Sequence, residues 1–290
     1  MTVECVWDLN ATLGEGPLWV PDDAALWFVD IKRRHIHRFD PASGSRGRWR
    51  APDQVGWVQP TADGRWLAGL KTGLHWFDPD ASTFTPWLDP EPDRPDNRLN
   101  DSVVDASGRL WFGTMDDLEG APTGRLYHLE DGPRAVPTDV TCCITNGPAA
   151  SPDGRFLYPV DTLGKTIRRH EIGADGALSA GEVLITIEDG AGHPDGAICD
   201  SAGNLWVGLY GGWGARCYAP DGTLQRHVDF PVSNVTKIAL GGPDLKTAYA
   251  TTAAKGLSEE ERARQPLAGG LFAFEVETAG AAITPVRIGL

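Results

Sequence analysis

Thr145-Asn146-Gly147-Pro148-Ala149-Ala150-Ser151-Pro152-Asp153-Gly154-Arg155-Phe156-Leu157-Tyr158 decides the fold. It reads as an extended segment, a Pro-Asp-Gly turn and a second strand carrying an aromatic residue. Asn146 stands eight residues before the turn glycine, Gly154. The layout returns five more times. The other turns are Pro21-Asp22-Asp23, Ala62-Asp63-Gly64, Ala106-Ser107-Gly108, Ser201-Ala202-Gly203 and Pro243-Asp244-Leu245, followed by Trp27, Trp66, Trp111, Trp206 and Tyr249. At the same distance ahead of them stand Glu15, Gly56, Asn100, Asp195 and Lys237. Only the second copy, with Gly56, lacks a polar or metal-type side chain there.

About twelve residues after each aromatic comes a further strand, as in His35-Ile36-His37-Arg38-Phe39 and Gly270-Leu271-Phe272-Ala273-Phe274, most copies alternating small or polar with apolar residues. Successive aromatics are 39 to 48 residues apart, close to the roughly 40–50 expected of one four-stranded propeller blade. Six such units predict an all-β, six-bladed β-propeller, with residues 1–290 as one domain. No long helical period separates the strands, which excludes an α/β sheet, and a sandwich does not explain a six-fold return of one pattern. Rotation about one axis brings the six equivalent positions together. The stretch Val3-Glu4-Cys5-Val6-Trp7 is expected to pair with the last blade and close the ring, removing an exposed edge. One short helix is expected, with Ser258 and Glu261 as a capping box and Pro266 as its stop.

A formal net charge of −14 and a pI near 4.8, with dispersed Lys and Arg, argue against nucleic acid. No apolar run approaches the roughly 20 residues that span a bilayer, and the N-terminus lacks signal-peptide character, so a cytoplasmic location without membrane contact is expected. Five cysteines without a C-x-x-C pair suit reduced thiols in a core.

Glu15, Asn146 and Asp195 offer two carboxylates and an amide oxygen, a mixture that a hard divalent cation accepts. A three-ligand site keeps positions for water and substrate. Isolated Asn and Asp at strand starts more often serve turns, but five of six copies in one register favour a central metal site. Arg98 and Asn100 are two apart in an extended segment and therefore share a side. Arg98 has donors for ligand hydroxyls or a carbonyl, or else it pairs with Asp101 or Asp96. Lys237 either orients water and developing charge or offsets the carboxylates. The histidines form no metal-spaced pair in this register, and no Gly-x-Ser-x-Gly elbow supports a serine nucleophile.

Leu13-Gly14-Glu15-Gly16-Pro17, Asn97-Arg98-Leu99-Asn100-Asp101, Gly113-Thr114-Met115, Thr145-Asn146-Gly147-Pro148 and Asp195-Gly196 resemble the motifs of the SMP-30/gluconolactonase (regucalcin-like) family over nearly the whole chain. Asp161-Thr162 and Gly241-Gly242-Pro243-Asp244-Leu245-Lys246-Thr247 resemble its bacterial sugar lactonases, xylonolactonase-like members included. The resemblance implies a propeller that hydrolyses a sugar (aldono-) lactone, a pentono- or hexonolactone of sugar catabolism, with one divalent cation. Calcium, zinc, manganese, magnesium and ferrous iron all remain open. Glu15, Asn146 and Asp195 would be its ligands, Asp195 also the general base, and Arg98, Asn100 and Glu119 the substrate contacts. Where the family often places a substrate-binding Glu after Gly-Thr-Met, this chain reads Asp116-Asp117-Leu118-Glu119; Glu119 is the choice, with Asp117 as the other alignment. A phosphotriesterase or a non-catalytic ligand-binding propeller are the alternatives on the same scaffold.

Overall fold

The computed structural model describes residues 2–130 and 132–289. Six four-stranded antiparallel sheets follow one another around a central axis, and all six sequence repeats become blades. The innermost strands are Gly14–Val20, Val55–Pro60, Asn97–Val104, Thr145–Ala150, His193–Cys199 and Val235–Gly241. The turn aromatics sit in the second strand of each blade, and the strands read from the sequence after them are the third. The fourth strands were not legible: Arg46–Arg50 alternates exposed arginines with half-buried residues, and Leu224–Asp229 is mostly exposed. An outer strand lies at the rim and has one neighbour, so it carries little apolar pattern.

The ring closes as expected. Glu4–Trp7 is the outermost strand of blade 6, with Glu4 opposite Ala273 and Cys5 opposite Phe272. At the innermost strands, the Thr236 hydroxyl donates to the Gly14 carbonyl at 2.6 Å, joining blades 6 and 1. The helix Glu259–Arg264 forms with both halves of its capping box between the second and third strands of blade 6.

The core lies between neighbouring blades. Trp27, Val29 and Ile36 of blade 1 pack on Val58, Ala68 and Phe77 of blade 2, and Trp57 and Leu74 of blade 2 on Leu110 and Phe112 of blade 3. Each Val, Leu, Ile and Phe among them is buried at a gain of ~1.5–3 kcal/mol. Turn aspartates fix two of the rings: Trp27 Nε1 donates to Asp23 Oδ2 and Trp111 Nε1 to Asp105 Oδ2, both at 2.8 Å. Blades 3 and 4 share a smaller cluster of Trp111, Leu126 and Leu157, and a cleft of about 1000 Å³ opens there beside His128 and His170.

The C-terminal segment crosses one face of the ring. Ala279 O accepts from Ser201 N in blade 5 and Gly280 N donates to Leu245 O in blade 6, while Val286 bonds to Pro60 and Ala62 of blade 2. That face bears the turns. The polar register faces the opposite one. Among the described residues no helix is long and apolar enough to cross a membrane, and the five cysteines are free thiols, three of them buried.

Candidate active site

All six innermost strands lose their regular pairing near the special position: the register shifts between Glu15 and Leu18, Val55 and Trp57, Leu99 and Ser102, Asn146 and Ala149, Pro194 and Ala197, and Val235 and Ile238. A bulge of this kind re-aims a side chain and bends the strand. The glycines have their reason here. Gly16 has a φ of +55°, and a Cβ at Gly56 would stand 2.4 Å from the Asn100 carbonyl oxygen, so the second copy gives up its side chain to let blade 3 approach.

Glu15, Asn100, Asn146, Asp195 and Lys237 are all buried, as is Arg98. Arg98 Nη1 donates to Asn100 Oδ1 at 2.6 Å, so the shared side read from the sequence is realised. Asn100 Nδ2 donates to Asn146 Oδ1 at 2.8 Å and to the Thr145 carbonyl at 2.7 Å. Asn146 Nδ2 donates to the Thr162 hydroxyl at 2.9 Å, which fixes the amide with its oxygen away from Thr162.

The ion pairs differ from those the sequence offered. Arg98 pairs with neither Asp101 nor Asp96; its Nε reaches Asp117 Oδ1 at 3.1 Å. Arg98 lies opposite Met115 in the sheet, and Asp117 follows two residues later on the loop. Asp101 is taken by Lys237, whose Nζ lies 2.6 and 2.7 Å from the two carboxylate oxygens. Lys237 thus compensates a carboxylate that the sequence reading did not single out. Glu119, with φ of +60°, pairs with Lys255 from blade 6. Asp117 is held by Lys32, Lys71, Gln54 and Arg98 together, whereas Glu119 has the single partner and more exposure, 35% against 14% for the side chains.

Three carboxylates, Glu15, Asp101 and Asp195, are therefore buried near one another with one ammonium in direct contact. Burial pushes Glu15 up to about 8, helped by Asp101, and it pushes Asp195 well above the carboxylate range, helped by Glu15 and then Asp101. Asp101 is also raised by burial, with Lys237 opposing. Among the described residues no hydrogen bond steadies Asp195. Buried charge of this kind calls for a cation. No three His, Cys, Asp or Glu side chains gather as a metal cluster among the described residues, so the residues that would hold a cation here are a mixed set, two carboxylates and the Asn146 oxygen. That oxygen keeps a second lone pair beyond the one Asn100 uses. The donor set fits a hard divalent cation.

With this geometry the class is defined: a six-bladed propeller whose polar side chains converge at one end of the axis. Residues 13–254 match the SMP-30/Gluconolactonase/LRE-like region. The chain belongs to that family. It is 31% identical to the 6-deoxy-6-sulfogluconolactonase of Pseudomonas putida, over 97% of each chain, and 33% identical to a pentonolactonase of Haloferax volcanii, over 97% of this chain and 96% of the other. The crystal structure of a calcium-binding protein, regucalcin, from Agrobacterium tumefaciens superposes with a TM-score of 0.93 at 27% identity, covering 98% of this chain and 97% of that one.

Proposed function

We propose that this chain hydrolyses a sugar lactone to the aldonic acid, with a divalent cation held by Glu15, Asn146 and Asp195. The observation that carries the reading is the pair of buried carboxylates, Glu15 and Asp195, neither in contact with a basic side chain, beside an amide whose orientation Thr162 fixes. Relatives that span almost the whole chain are named for a pentonolactone and for 6-deoxy-6-sulfogluconolactone, which supports a substrate among the pentono- and hexonolactones.

A divalent cation at this position supplies charge stabilisation for the oxygen of the lactone carbonyl as water adds. The side chains do the rest. Asp195 accepts the proton of the attacking water, its carboxylate being the one that no donor engages among the described residues. Asn100 and Arg98 line the approach, Arg98 pre-set by Asp117 on one side and the Asn100 oxygen on the other, so its remaining N–H groups meet substrate hydroxyls without reordering. Glu119 accepts from a hydroxyl at the mouth. Hydrogen-bonding groups of this density suit a polyhydroxylated ring, whereas a phosphotriester calls for a more apolar funnel.

The test is turnover of a panel of pentono- and hexonolactones by parent protein, by chelator-treated protein and by protein reloaded with single divalent cations. Hydrolysis that vanishes with the cation and returns with it supports the reading. Hydrolysis of none of the panel by any loaded form overturns it.

A further inference from the structure

Loops of blades 1, 2 and 6 and the start of the innermost strand of blade 3 bring cations to the mouth of the axis. Lys32 leaves blade 1, Lys71 blade 2, Arg98 blade 3 and Lys255 blade 6. Lys32 Nζ lies 2.7 Å from Asp117 Oδ1, Lys71 Nζ 3.1 Å from Asp117 Oδ2 and Arg98 Nε 3.1 Å from Asp117 Oδ1, while Lys255 pairs with Glu119. Three cations thus meet Asp117 and a fourth meets Glu119, on a chain of formal net charge −14. The other side of the mouth differs. Exposed apolar side chains lie on both sides, Leu118 at this corner and Leu163 and Trp213 on the loops of blades 4 and 5, but the Lys165 of that other side is matched by Asp189.

The donors at this corner are not used up. An ammonium has three N–H donors. Lys32 spends one on Asp117 and one on the Gln54 oxygen, and Lys71 spends one on Asp117. Three N–H groups remain for a ligand on side chains about a quarter exposed. Two hydrogen bonds then link the corner to the proposed cation ligand, from Arg98 to Asn100 and from Asn100 to Asn146.

We infer that Lys32 and Lys71 form an anion subsite at the mouth, and that the substrate is a lactone carrying an exocyclic anionic group. Phosphate, sulfonate and carboxylate share the required chemistry, oxygens of negative charge that accept from ammonium groups. The inference rests on the lactonase reading, with the ring at Arg98 and Asn100 and the anion at the two lysines. A structural strap, Asp117 merely tying blades 1, 2 and 3 together, is the competing explanation.

The test uses the full chain, D-glucono-1,5-lactone, and matched compounds whose carbon 6 carries a phosphate, sulfonate or carboxylate. The kcat/KM for at least one anionic compound should exceed that of the neutral lactone by about 10-fold or more. In the Lys32→Met/Lys71→Met variant that ratio should fall to near one, and in Lys32→Arg/Lys71→Arg it should be largely retained. Raising sodium chloride from about 0.05 to 0.5 M should lower the ratio in the parent, a reading that needs no variant. A parent that favours the neutral lactone, or a ratio untouched by the methionine pair or by salt, overturns the subsite. If no lactone is hydrolysed, the lactonase reading falls and calorimetry with gluconate and 6-phosphogluconate reads the subsite alone. Tighter binding of the phosphorylated acid, lost in the methionine pair, supports it; equal binding of both acids overturns it.

Discussion

Asn100 donates to the Asn146 side-chain oxygen at 2.8 Å across the seam between blades 3 and 4. One asparagine is thereby the positioning residue of the other, and the Thr162 hydroxyl completes the arrangement from the nitrogen side at 2.9 Å. An amide held at both ends presents its oxygen in one orientation, which a cation site needs from an uncharged ligand.

Thr162→Val keeps the shape of the side chain and removes that anchor. Divalent-cation affinity should fall ~10–100-fold, with a loss of stability of only about 1 kcal/mol. Thr162→Ser should retain most of the affinity. Isothermal titration of chelator-treated protein with calcium, manganese and zinc gives the numbers, and equal affinities in parent and Thr162→Val would separate Asn146 from the cation.

Lys237→Met leaves Asp101 buried without its partner, since the two side chains are 7% and 3% exposed. Breaking a buried pair from one side costs about 3–5 kcal/mol. Urea unfolding should show that loss, and Asp101→Asn combined with Lys237→Met should recover part of it. An unchanged midpoint in the single variant would mean that solvent reaches Asp101.

The pH dependence has a definite sign. Glu15 titrates near 8 in the folded chain against an ordinary 4.5, so between these values the folded, cation-free protein holds a proton that the unfolded chain has released. Excess protons on the folded side mean that stability falls as pH rises through this window, and Asp195 acts in the same direction. A cation displaces those protons. Its stabilising effect should therefore grow from about pH 5.5 to pH 8. Melting curves with and without cation at both pH values check this, and a larger cation effect on the acid side contradicts it.

The fold was legible because its signals are local and repeated: a turn, an aromatic, and a polar residue at one fixed distance. Glu15, Asn146 and Asp195 followed from that register. Asp101 did not, because alternation sends it to the side opposite Asn100, and only the bulge between Leu99 and Ser102 allows both to serve the axis. Lys32, Lys71 and Lys255 were missed for another reason: they sit on loops without a period, and their meeting with Asp117 and Glu119 depends on the closed ring. Asp117 was the other alignment the sequence offered beside Glu119, and only the three cations around it explain why Glu119 is the freer carboxylate. The C-terminal crossing has almost no pattern of its own, being held by a few scattered backbone bonds to four blades.

The most direct test of the site measures cation content, circular dichroism and lactone turnover on the same samples of the parent and of Glu15→Gln, Asn146→Ala and Asp195→Asn. The parent should bind one divalent cation per chain and hydrolyse a lactone. Each variant should keep the β-sheet spectrum, bind the cation far more weakly and lose nearly all turnover. Full turnover by cation-free Asp195→Asn would contradict both the ligand set and the role of Asp195 as base.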